Sequence, residues 1–138
     1  MSSVIVTNWN DYANFKQNEM ACKCGCGINR VSKELMDRLQ RARTIAGVPF
    51  VVNSACRCLQ HNRNIGSSDS SDHVTTASQP CIGIDIQAAD SVRRFHIMRG
   101  LFAAGFDRIA PSFERNFIHA GIGKSQGGKN DSNVMWRY

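Results

Sequence analysis

The sequence predicts an α+β fold, a small antiparallel sheet carrying two main helices, and three observations predict it. Apolar residues recur at helical spacing twice: at Leu35, Met36, Leu39, Ala42 and Ala46, and again at Val92, Phe95, Met98, Leu101 and Phe102. Short apolar runs of strand length stand at residues 50–54, 82–86 and 117–122. No repeat and no linker divides the 138 residues, so a single domain spanning 1–138 is expected.

The elements follow in order. Residues 1–20 read as an extended arm whose aromatics, Trp9, Tyr12 and Phe15, pack on the body. Residues 22–31 form a Gly/Cys loop. Ser32 is a good helix N-cap, Glu34 sits well against the helix dipole, and Gly47 suits the residue after the last turn. Pro49 then leads into a strand ending near Ser54, with Arg57 emerging beyond it. Leu59 to Ile65 reads as a short helix closed by Gly66. Asp90 or Ser91 caps the second main helix, with Val92, Phe95, Met98, Leu101 and Phe102 on its inner side and Gly105 after it. Strands around 108–110 and 117–122 follow, then a polar loop over 124–132. Val134 to Tyr138 returns as an edge strand.

Composition narrows the function. No apolar run approaches the roughly 18 residues of a membrane span. The start has no basic segment and too short an apolar one for a secretory signal, so the expectation is synthesis in the cytoplasm. Seventeen basic residues against eleven acidic ones give +6, which suits an anionic partner. The basic residues are spread out with no run of four, which argues against a nucleic-acid patch.

The chemistry centres on His73, Asp85 and His119, read as three ligands of one Zn²⁺. Two imidazoles and a carboxylate suit zinc, and three protein ligands leave the open position of a catalytic rather than a structural site. Asp85 stands among Ile82, Ile84 and Ile86, where a carboxylate is costly unless a cation or strong donors satisfy it. His119 has a similar setting, Phe117-Ile118-His119-Ala120. The six cysteines do not follow the paired CxxC spacing of a zinc ribbon. On an extended segment Cys22 and Cys26 would point to one side and Cys24 to the other. A disulfide from this cluster to Cys56 or Cys58, a second structural metal, and reduced thiols all remain open.

Several motifs in order carry a resemblance: Cys22-Lys23-Cys24-Gly25-Cys26-Gly27, Asn53-Ser54-Ala55-Cys56-Arg57-Cys58 with His61-Asn62, Ser71-Asp72-His73, Gly83-Ile84-Asp85-Ile86 and Phe117-Ile118-His119. From about residue 15 onward the chain resembles the D-Ala-D-Ala carboxypeptidase and L-alanyl-D-glutamate endopeptidase family of zinc peptidases, in its short bacteriophage-type form. The resemblance implies a hedgehog/D-Ala-D-Ala-peptidase-like α+β fold, a Zn²⁺ cofactor on His73, Asp85 and His119, and a monomer that cuts peptidoglycan peptide. It implies that Arg57 binds a substrate carboxylate or carbonyl, and that Ser71 is a polar substrate-side residue supporting His73. It also implies an endolysin or wall-remodelling role, reached by release or virion delivery to the cell wall in the periplasm.

Three departures stand out. The family places the aspartate nearer the first histidine than the twelve residues here, so Thr75 to Cys81 reads as an insertion. Gly121 stands where many relatives have an aspartate two residues after the last histidine. Asn116 stands where others have a glutamate. A base is still required to move the proton of the attacking water, and Glu114 is nominated, with Asp72 as the fallback. His61 and His96 stay outside the zinc set. The rival functions are a catalytically inactive, zinc-bearing wall-binding or virion module, and a basic nucleic-acid module.

Overall fold

The structure, a computed structural model, describes residues 5–123 and 130–138. Its order is a 3₁₀ turn at Trp9–Asp11, α1 (Gln17–Met20), α2 (Lys33–Ala46), β1 (Val52–Ser54), β2 (Arg57–Cys58), α3 (Leu59–Asn64), β3 (Val74–Thr75), β4 (Gly83–Gln87), α4 (Ser91–Ala103), β5 (Arg108–Ser112), β6 (Phe117–Gly121) and β7 (Val134–Met135). The main sheet runs β1-β4-β6-β5-β7, and β2 and β3 form a separate parallel pair. All main-sheet pairings are antiparallel except β5 with β7. The expected α+β architecture is therefore present, and the last strand does lie at the edge, although parallel to its neighbour.

The local signals act as read. The Ser32 hydroxyl accepts from the Leu35 N–H, and Gly47 ends α2 in the left-handed region at φ 69°. Asp90 is the cap of α4, its carboxylate accepting from the Arg93 N–H. Alternation then divides the sheet into two faces. Ile84, Ile86, Ile118 and Ala120 join one core with Leu35 and Leu39 of α2 and Ile97 and Leu101 of α4. Asp85 and His119 alternate with those residues and point to the opposite face.

Three expectations are corrected. The segment before α2 is not extended throughout. It contains the 3₁₀ turn and α1, because the Asn8 side chain caps the first and the Glu19 carboxylate accepts from the Lys16 N–H at the second. Its Tyr12 and Phe15 are buried in the core as anticipated, while Trp9 packs against it half-buried. The inner face of α4 is not the Val92/Phe95/Phe102 stripe. Those side chains are 67%, 65% and 54% exposed, and the helix packs through Ile97, Gly100 and Leu101. Gly100 decides the matter: a Cβ there would run into the Ala42 carbonyl of α2, so only this glycine side lets the helices approach. Finally, Cys24 and Cys26 lie on a turn over Lys23–Cys26 that begins just after Cys22, not on an extended run, and all six cysteines are free. Of the predicted loop over 124–132, residues 124–129 lie outside the described residues.

Candidate metal centre

Strand register brings two of the candidate ligands together. Asp85 of β4 is paired directly with His119 of β6, so both side chains rise side by side from one face. The third arrives through the small sheet. Arg57 of β2 donates its N–H to the His73 carbonyl, which fixes His73 at the head of β3. The Asp85 Oδ1 then lies 3.2 Å from His73 Nε2 and 2.9 Å from His119 Nδ1. The ligating atoms of the three residues all fall within 4.8 Å of one another. In a tetrahedral site with bonds of about 2.0–2.1 Å, neighbouring ligand atoms stand about 3.3 Å apart. The trio therefore has the spacing of a metal site.

The partners outside the trio fix which nitrogen faces inward. His73 Nδ1 lies 2.7 Å from the Ala55 carbonyl oxygen. A carbonyl only accepts, so Nδ1 donates to it, and Nε2 is the ring nitrogen that faces Asp85. His119 Nε2 lies 2.7 Å from Asp72 Oδ2, which holds that nitrogen protonated and turns Nδ1 toward Asp85. Asp72 is itself held by Arg108 Nε at 3.0 and 3.1 Å and by the Asn130 amide. A carboxylate behind a ligating histidine orients the ring and raises its basicity. Two oriented imidazoles and one carboxylate thus form a donor set fit for a divalent ion.

The charges agree with this arrangement. Burial alone would lower the His119 pKa, but the hydrogen bonds and charges of Asp72 and Asp85 outweigh it and push it up to about 9. Burial alone would raise the Asp85 pKa, yet hydrogen bonds from His119 and His73 hold it well below the carboxylate range. Asp72 is likewise lowered against its burial, by His119 and Arg108. In the metal-free protein His119 is thus an imidazolium bridging two carboxylates, occupying with a proton the place where a cation would sit.

The remaining predicted residues fall as follows. Asp72 is not placed as a base. It is buried on the outer nitrogen of His119, its carboxylate committed to His119, Arg108 and Asn130. Arg57 is buried, and its Nη1 donates to the Asn62 side chain at 2.8 Å. Ser71 lines a shallow cavity of about 190 Å³ shared with His119, Arg108, Trp136 and Tyr138. Its hydroxyl accepts from the His73 N–H at 3.3 Å. Glu114 lies exposed in the β5–β6 turn, with no hydrogen bond or ion pair to the trio among the described residues. The stretch after β3 folds on itself through the Thr76 N–H and the Gln79 carbonyl, and Arg30 pins it by two carbonyls.

The two departures near His119 gain physical accounts. A side chain at Gly121 would meet Asp72 Oδ2 at 2.6 Å, so the Asp72 carboxylate fills the space an aspartate at 121 would need. Asn116 takes a left-handed conformation, φ 56°, in the hairpin turn, a role that favours asparagine over glutamate. Sequence reading missed Arg108, Asn62 and the aromatic pair Trp136 and Tyr138, whose rings stand 5.6 and 6.3 Å from that of His119. Arg108 was recoverable in part. It is paired with Gly121, on the same sheet face as His119, so a strand reading carried through to register would have pointed to it.

A family model described as peptidase M15 matches residues 13–121, well over half of the chain. No curated protein matches it.

Proposed function

The chain belongs to the peptidase M15 family, and from that membership we propose that it is a zinc peptidase acting on the peptide part of bacterial peptidoglycan, at D-Ala-D-Ala or L-Ala-D-Glu bonds. The observation that supports this most is the convergence of His73 Nε2, Asp85 Oδ1 and His119 Nδ1 in a peptidase of this family. When bound there, Zn²⁺ supplies Lewis acidity that polarises the scissile carbonyl and eases deprotonation of water.

The protein's own groups divide the remaining work. Arg57, with one guanidinium nitrogen fixed by Asn62, offers its other donors to a substrate carboxylate or carbonyl. It also stabilises the oxyanion as the carbonyl is attacked. Ser71 lines the cavity where the substrate would lie. Glu114 is the base in this reading, taking the water proton and returning it to the leaving amine. Its turn ends at Phe117, whose ring packs 5.4 Å from that of Tyr138 on the site face. The +6 charge suits a wall rich in free carboxylates. The biological setting in this reading is a phage endolysin or wall-remodelling enzyme that meets the wall after release or virion delivery.

One observation favours a second reading. Asp72 is committed to His119, and Glu114 is exposed, with no hydrogen bond or ion pair to the trio among the described residues. A zinc-bearing wall-binding or virion module would need no base. Zinc-loaded protein incubated with purified muropeptides separates the two. New amino termini, their mass-assigned position and their loss with chelator are expected. With Glu114→Gln, kcat should fall about 10²–10⁴-fold while the zinc content stays at the wild-type level. Wall binding without any cleavage would favour the inert module instead.

A further inference from the structure

A second set of ligand-type side chains lies outside the histidine and aspartate trio. The sulfurs of Cys22, Cys24, Cys26 and Cys58 all fall within 4.8 Å of one another. Cys22 and Cys24 are 3.5 Å apart, and Cys24 and Cys58 are 3.7 Å apart. A disulfide holds its sulfurs at about 2.0 Å, so these are four separate thiols. Four thiolates at about 2.3 Å from a tetrahedral zinc stand about 3.8 Å from each other. The observed spacing is that of such a cluster.

The backbone is arranged around the sulfurs. The Cys22 N–H donates to the Ile28 carbonyl and closes the loop, and Gly25 turns it at φ 94°, a conformation other residues rarely adopt. Main-chain N–H groups point at sulfur, among them that of Cys58 at Cys22 (3.4 Å) and that of His61 at Cys58 (3.3 Å). Meanwhile residues 23–27 are exposed. A tight turn with no apolar burial of its own needs another source of order, and a four-sulfur ion supplies one.

We propose that Cys22, Cys24, Cys26 and Cys58 bind a second, structural Zn²⁺, closed to substrate and independent of the His73/Asp85/His119 centre. Its place in the fold gives it a task. Cys58 follows Arg57, and its sulfur caps α3, whose Asn62 holds the Arg57 guanidinium. The ion ties the Cys loop to this junction and steadies the arginine from behind.

Cobalt reports on the site directly, because only the cysteine cluster would give a sulfur-to-cobalt charge-transfer band. The full chain, purified under reducing conditions and loaded with Co²⁺, is expected to show that band and two metals per chain. The band should survive His119→Ala and vanish in Cys24→Ser and in Cys26→Ser. In wild-type protein, zinc should slow alkylation of these four thiols at least roughly tenfold. That measurement decides the question even if the serine variants fail to fold. A cobalt-loaded chain without the band, equal alkylation with and without zinc, an intact mass showing a disulfide, or an iron–sulfur absorbance would each overturn the proposal.

Discussion

At the scale of single residues the centre depends on Asp72, which touches no expected position of the metal. Its carboxylate fixes the His119 tautomer and fills the space beside Gly121. Asp72→Ala should therefore weaken zinc binding about 10–100-fold, measured by competition with a chromogenic chelator, with far-UV dichroism confirming the fold. Unchanged affinity would mean that His119 is oriented by something else. The His119 proton makes a second prediction. A histidine raised from 6.5 to about 9 in the metal-free protein stabilises the fold fully below pH 6.5, and that contribution is lost as pH rises through 9. The melting temperature of the metal-free protein should fall across that window. Zinc must displace the same proton, so affinity should climb over the same range, by up to about tenfold per pH unit. A flat affinity from pH 6.5 to 9 would refute the imidazolium bridge.

At the scale of elements, the sequence was most legible where chemistry is local. Ser32, Gly47, Asp90 and Gly105 mark helix ends by capping and by left-handed backbone, and each does so in the structure. It was least legible where two elements choose faces. On α4 the large apolar residues at 92, 95 and 102 suggested the inner stripe, yet packing follows closeness of approach rather than side-chain size. Gly100 lies against the Ala42 carbonyl and beside the Ala46 methyl, and the stripe Ile97, Gly100, Leu101 and Ala104 follows from it. Gly100→Ala should thus destabilise the protein by about 1–3 kcal/mol through overpacking, despite alanine's better helix propensity. Denaturant melts would show it as a lower midpoint with an unchanged slope. A gain in stability would mean that α2 and α4 can move apart freely.

At the scale of the whole molecule, one sheet separates two tasks. The face bearing Ile84, Ile86 and Ile118 closes the core with α2 and α4, and the opposite face presents Asp85 and His119, two of the three candidate ligands. This is why Asp85 and His119 could be grouped as candidate ligands from sequence. Polar residues set into apolar strands must face away from the core, and period-two alternation says so without coordinates. What alternation cannot supply is the neighbour from a distant turn or the edge strand, which is why Asn130, Trp136 and Tyr138 became visible only in the fold. The same separation predicts that stability and metal binding can be altered independently. Tyr12 is buried against α2, its hydroxyl donating to Asp37 at 2.7 Å, on the core side of the sheet. Tyr12→Ala should cost about 3 kcal/mol by analogy with other buried aromatics, lowering the melting temperature by roughly 10 °C. Zinc affinity at the His73/Asp85/His119 centre, measured well below that melting temperature, should stay within about twofold of the wild type, since sites on opposite faces of the sheet without shared partners act additively. A parallel loss of affinity would show that the two faces are mechanically coupled and that the sheet does not insulate the site from the core.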